Sequence, residues 1–199
     1  LTEAPKPDVS LYDWYTFDTK SISSKNNGDD NIDAGETVHI GVELMNRGGM
    51  AKDVTATIDV KRNGLDDIVD PYVTITTPTV KFSDIGTYSV RDAGKKMESD
   101  TVVDVENPFV FDVAENVPNN YRCDINIHVT WKNGLTSEDT TVYSFDDVMS
   151  VTFHRGEVLP ARIDTDTTLT ADKLWIVNDT VRIGEGVTVI VEPGTKIQF

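Results

Sequence analysis

The sequence predicts an all-β protein, with an antiparallel β-sandwich over residues 1–158 and a short β-solenoid-like segment over residues 159–199. Three observations predict it. First, apolar and polar residues alternate in run after run. In Thr37 to Met45, Val38, Ile40, Val42 and Leu44 fall on one face, and His39, Gly41 and Glu43 on the other. Successive strand side chains point to opposite faces, so this pattern describes a half-buried strand. Second, Gly, Pro, Asn and Asp separate the runs as turn signals. Third, no long segment carries apolar residues at helical spacing, whereas Val, Thr and Ile, which suit a pleated surface, are plentiful.

The elements follow in order. Val9 to Phe17 is aromatic-rich and reads as a first strand. Asn26 to Glu36, NNGDDNIDAGE, is a polar loop opening onto the strand from Thr37. Asn46 to Gly49 is a turn. Val54 to Val60 alternates again, and Lys61 to Gly64 turns. Tyr72 to Thr76 follows Pro71, and Thr79 to Asp84 follows Pro78. Gly86 to Asp100 is charged and glycine-marked, and is expected as an exposed loop. Thr101 to Val105 and Pro108 to Val113 are strands broken at Asn107-Pro108. Ala114 to Asn120 is a loop. Tyr121 to Trp131 is the most regular strand, with Cys123, Ile125, Ile127 and Val129 on one face. Lys132-Asn133-Gly134 is expected to be a tight turn, since Asn-Gly is the strongest short hairpin signal. Thr141 to Phe153 closes the series. Seven or eight such strands argue for a sandwich.

After Gly156 to Pro160 the spacing tightens. Leu174 to Val177, Val181 to Ile183, Val187 to Val191 and Lys196 to Phe199 are short apolar bursts separated by Asn178-Asp179, Gly184-Glu185-Gly186 and Pro193-Gly194. This is too close for sandwich strands and suits coils that bury an inner face against the next coil. The chain opens at Leu1 rather than Met and closes inside a strand pattern, and reads as an excised fragment.

The 199 residues suffice for one large or two small domains, and 38% hydrophobic content suffices for a packed core. The net charge of -16, from 34 acidic and 18 basic side chains, repels phosphate backbones. Nucleic acid and anionic membrane surfaces are therefore disfavoured partners. No apolar stretch is long enough to span a bilayer, so no membrane insertion is expected. The sole cysteine, Cys123, lies on the apolar side of its strand and reads as a buried small hydrophobe.

The best candidate site is the acidic loop. Asp29, Asp30, Asn31, Asp33 and Glu36 offer hard oxygens from one curled segment, which is the donor chemistry of Ca²⁺. The spacing is not that of an EF-hand, because Ala34 stands where the loop glycine belongs and Glu36 arrives early. The alternative is a polar turn whose Asn and Asp side chains bond the local backbone. Tyr12, Trp14 and Tyr15, with Phe17, form either a sugar-stacking platform or part of the core, and Trp131 and Trp175 pose the same choice. His39, His128 and His154 are scattered on polar faces without zinc spacing. Nucleophile-elbow and phosphate-cradling glycine motifs are absent.

Two stretches carry a resemblance. With Asp33, Gly35, Glu36, the alternating strand, Asn46 and Gly48, NNGDDNIDAGETVHIGVELMNRGG resembles Ig-like adhesion modules of the CARDB type. Asn31 departs from the glycine usual there, and Asn tolerates the left-handed conformation that glycine would supply. Gly186, Val187, Thr188, Val189, Glu192, Pro193, Gly194 and Thr195 resemble the opening coil of right-handed parallel β-helix domains of secreted bacterial proteins. The resemblances imply an Ig-like sandwich at the cell surface or outside the cell. They imply a non-catalytic adhesion, spacer or protein-interaction module with an extracellular protein or glycan as partner. The alternative they imply is a carbohydrate-binding module attached to a polysaccharide-degrading β-helix enzyme. Fold alone does not assign activity.

Overall fold

The computed structural model describes residues 5–61, 69–136, 138–171 and 174–199, and all regular structure there is strand. One five-stranded sheet sets β1 (Val9–Phe17), β3 (Thr37–Asn46), β10 (Phe109–Val113) and β5 (Val73–Thr77) side by side, with β7 (Ser89–Asp92) against the end of β3. The second joins β2 (Ile32–Asp33), β12 (Val142–His154), β11 (Tyr121–Asn133), β4 (Ala51–Asp59) and β6 (Thr79–Lys81). All pairings in these sheets are antiparallel except the short β2–β12 contact.

The alternation puts the apolar faces together. Val38, Ile40, Val42, Leu44, Phe109 and Phe111 of one sheet are buried against Ile125, Ile127, Val129, Met149 and Phe153 of the other. Cys123 and Trp131 lie in the same core, and the Phe111 and Phe153 rings meet 6.0 Å apart between centroids. The chain thus has the expected all-β, sandwich-like fold.

Three local expectations change. The segment 86–100 is not all loop: it contains β7 and β8 (Lys95–Glu98), and β8 pairs with β9 (Thr101–Val105). Every β8 residue is exposed, so no apolar alternation marks it. Polar contacts hold the hairpin over the outer face of β3. Lys95 pairs with Glu43 at 2.5 Å, and Asp104 meets His39 at 2.9 Å and Lys96 at 3.2 Å. Gly41 makes the close approach possible, because a Cβ there would strike the Tyr15 ring and Val105. Next, β4 begins at Ala51, ahead of the alternation, because a bulge with Asp53 left-handed at φ 52° interrupts the period. Finally, Asn133-Gly134 does not make a two-residue hairpin. Asn133 ends β11, and β12 starts only at Val142. Beyond Lys61, the turn expected over 61–64 lies outside the described residues.

The C-terminal strands pair differently. β13 (Glu157–Val158), β16 (Leu174–Ile176) and β19 (Lys196–Gln198) are parallel neighbours. So are β14 (Arg162–Ile163) with β17 (Arg182–Ile183), and β15 (Thr167–Leu169) with β18 (Val189–Val191). Leu159, Ile163, Leu169 and Trp175 form a second small core. Trp175 is buried and donates its Nε1 proton to the Thr170 carbonyl at 3.0 Å, so it offers no exposed stacking face. No helix among the described residues is long and apolar enough to cross a membrane.

Truncating Phe111 to Ala removes a fully buried ring from the sheet–sheet contact and is expected to cost about 3–5 kcal/mol. Tyr12→Ala, at an exposed position, is expected to stay within about 0.5 kcal/mol of the parent. Urea unfolding of both variants checks this, and similar losses in the two would contradict the core assignment.

Candidate functional site

The acidic loop crosses from one sheet to the other. Asn26 initiates the crossing: its buried side chain donates Nδ2 to the Thr37 carbonyl at 2.7 Å and accepts the Thr37 N–H at 3.0 Å. Glu36, only 2% exposed, closes the loop, as Oε1 accepts the Asn27 N–H at 2.9 Å and Oε2 the Asp33 N–H at 2.8 Å. Asn27 Oδ1 and Asp18 Oδ2 accept the Asp29 N–H, and Asp29 Oδ1 accepts the Asn31 N–H. These are side chain-to-backbone turns of the kind that short Asn and Asp side chains favour. The left-handed positions are Gly28, Asp30 and Gly35. Asn31 is not left-handed, so the substitution of Asn for glycine there is not what keeps the turn.

Of the five residues expected to bind Ca²⁺, four meet Asp18 or one another. Asp29 bonds Asn31, and Asp33 bonds Glu36 through its N–H. Asp30 makes no such contact among the described residues. Asp18, which carried no sequence signal beyond its charge, is buried and belongs to the cluster. Its approach is a product of the fold, because it leaves the end of β1 rather than the loop.

The electrostatics are strained. Burial, then the charges of Glu36 and Asp29, push the Asp33 carboxyl up to about 7, against a hydrogen bond from Asn27 Nδ2 at 2.8 Å. Burial also raises Asp18 and Glu36. Asp33 Oδ1 is buried and accepts no hydrogen bond among the described residues. A proton or a cation on that oxygen would relieve the same penalty. Yet among the described residues no group of three or more His, Cys, Asp or Glu gathers in a metal-holding arrangement.

The loop sits where the sandwich meets the C-terminal strands. Asp29, Asn31 and Asp33 line a cavity of 100 Å³ together with Asn119, His154, Asn178 and Gln198. Asp33, Glu36 and Lys25 line a wider one of 720 Å³ with Arg155, Glu157 and Leu174.

The aromatic candidates do not share a face. A bulge between Leu11 and Asp13 leaves Tyr12 projecting, 57% exposed. Trp14 lies opposite Val42, half-buried against the core. Tyr15 lies opposite Gly41 on the other face, with its hydroxyl 3.4 Å from Glu43 and its ring edge-on to Phe17. Alternation separates neighbours on a strand, so these three make no continuous platform. Burial, then the charge of Glu43, raises the Tyr15 hydroxyl out of its ordinary range. Cys123 is pushed up to about 12, first by burial and then by Asp70, which leaves an inert thiol.

No protein-family model matches the chain, and a search of curated proteins finds no match.

Because the folded Asp33 carboxyl titrates near 7, above the unfolded value of about 3.9, its proton stabilises the fold. That contribution is complete below about pH 4 and is lost as pH rises through about 7. The parent is therefore expected to melt progressively lower from pH 5 to pH 8, and Asp33→Asn to flatten that slope. Thermal melts across this window check it, and equal slopes in the two proteins would refute the Asp33 assignment.

Proposed function

We propose that this chain is a non-catalytic module of an exported or cell-surface protein, in which an Ig-like sandwich of the CARDB type holds the first coils of a parallel β-helix in a fixed direction. It serves as a rigid spacer or adhesion unit. The single observation that carries the reading is the junction. β12 leaves the sandwich at His154, and the first parallel strand begins at Glu157. Asn119, in a sandwich loop, accepts the Arg155 N–H at 3.1 Å and donates Nδ2 to Gln198 at 2.9 Å. The parallel ladders then repeat, with Trp175 beside Glu157 and Ile197 beside Trp175. Leu159, Ile163 and Leu169 of the first pass and Trp175 are buried, with Val181, Val187, Val189 and Ile197 of the later strands packed partly over them, as in stacked repeats. Exposed Ile183, Ile190 and Val191 on the later strands suit a stack that continues.

A rigid spacer tumbles as one body. Backbone ¹⁵N relaxation is expected to return one correlation time for residues in the sandwich and in β13–β19. Two distinct correlation times would sink the spacer reading.

The acidic loop has a place in the same reading. Asp33, whose buried Oδ1 accepts no hydrogen bond among the described residues, borders one small cavity at the junction together with Asp29, Asn31 and Asn119. That supports a Ca²⁺ ion there, tying loop to stack. An ion that binds only the native state raises apparent stability, by about 2.7 kcal/mol at a hundredfold excess over its Kd. Saturating Ca²⁺ at pH 8 is expected to raise the melting temperature of the parent and not that of Asp33→Asn. No rise in the parent would remove the ion from the reading and leave the polar turn.

A further inference from the structure

We propose that the cavity at the opposite end of β11, between the start of β4 and residues 134–136 and 139–140, binds a carboxylated sugar residue, with Lys52 taking the carboxylate. The proposal does not rest on the spacer reading, since it concerns a different surface.

The argument begins with register. Lys52 and Lys132 lie directly opposite each other on β4 and β11. Like charges so placed destabilise a sheet. Lys132 is offset by Asp53, 3.0 Å away, which the β4 bulge holds in a left-handed conformation. Lys52 is exposed and makes no ion pair among the described residues. One ammonium is thus left over, beside a cavity, in a chain with a net charge of -16.

The cavity measures 320 Å³, at the small end of the usual range for ligand pockets, about 300–1,000 Å³. Besides the lysines, its lining offers the Thr136 and Thr140 hydroxyls, the carboxylates of Asp53 and Asp139, and the apolar side chain of Leu135, which is 48% exposed. This mixture fits a sugar acid. The ammonium meets the one carboxylate, the polar groups meet ring hydroxyls, and Leu135 meets the apolar ring face. A phosphate dianion fits less well, because Asp53 and Asp139 would face it.

Asp139, on the wall of the cavity, is held beforehand. Asp139 accepts the Tyr143 hydroxyl at 2.7 Å, the Thr141 N–H at 3.0 Å and Asn133 Nδ2 at 3.2 Å. These bonds, with those of Thr141 first, hold its carboxyl below the usual carboxylate range. The Gly134 N–H bonds the Met50 carbonyl at 2.7 Å, and a Cβ at 134 would collide with Met50 and Lys52. A wall set in place before binding loses little conformational entropy when ligand arrives.

Calorimetric titration of the whole chain with a trimer of galacturonic acid, a trimer of glucuronic acid, the methyl ester of the first and inorganic phosphate tests the site. At least one acidic trimer is expected to bind. The ester, and the acid trimer on Lys52→Gln, are expected to bind about tenfold or more weaker, the loss of one charged hydrogen bond. The melt of Lys52→Gln is expected to lie at or slightly above the parent's, since the change removes the like charge opposite Lys132. Leu135→Ala, which removes the apolar contact with Lys52 intact, is expected to weaken binding as well. The proposal is overturned if neither acidic trimer binds, if the ester binds as tightly as the acid, if phosphate binds as tightly as the trimers, or if Lys52→Gln leaves affinity unchanged.

Discussion

The contact between Phe111 and Phe153 is the point on which the structure turns. Phe111 belongs to β10 of one sheet, and Phe153 to β12 of the other. Both are buried completely, and the Tyr121 ring stacks on Phe153 from the side. Burial of large aromatic surfaces dominates core energetics. Here it also sets geometry, because Phe153 pairs with Ile32 and is followed by His154, the last residue of the sandwich. The place where the two sheets meet is therefore also where the acidic loop docks and where the chain departs for its parallel strands.

The acidic loop follows from that constraint. To cross between sheets, its backbone must leave one ladder and join the other with its polar groups satisfied. The Ala34 N–H bonds the His154 carbonyl, the Gly35 N–H bonds the Val113 carbonyl, and Glu36 supplies its carbonyl to the Val113 N–H. Asn26 and Glu36 side chains complete the set from within. The result is a compact crossing that draws Asp18, Asp29, Asp33 and Glu36 together, which is why burial raises three of these carboxyls. The carboxylates first serve the backbone, and their burial together is what strains their charge.

Legibility tracked the physical origin of each feature. The strands of the core were readable because the period of two is imposed by burial on one side only, as in Thr37–Asn46 and Tyr121–Asn133. Of the β8–β9 hairpin, β9 was readable and β8 was not, because the exposed β8 is held by the pairs of Lys95 with Glu43 and Lys96 with Asp104 rather than by an apolar face. The start of β4 was hidden by the bulge at Asp53, which breaks the alternation. Asn133-Gly134 misled because the Asn133 side chain bonds Asp139 and Leu135 within a longer connection. The loop residues Asp29, Asn31, Asp33 and Glu36 were readable as a polar cluster, but Asp18 was not.

The sequence by itself determined the all-β class, the buried faces, the polar character of the loop and the change in strand spacing after the sandwich, because each is a local pattern of polarity. Only the tertiary structure decided which carboxylates share a space, which aromatics face away from one another, and that Lys52 stands opposite Lys132. Those outcomes depend on register between strands far apart in the chain, and a single strand's periodicity contains no information about its partner's register.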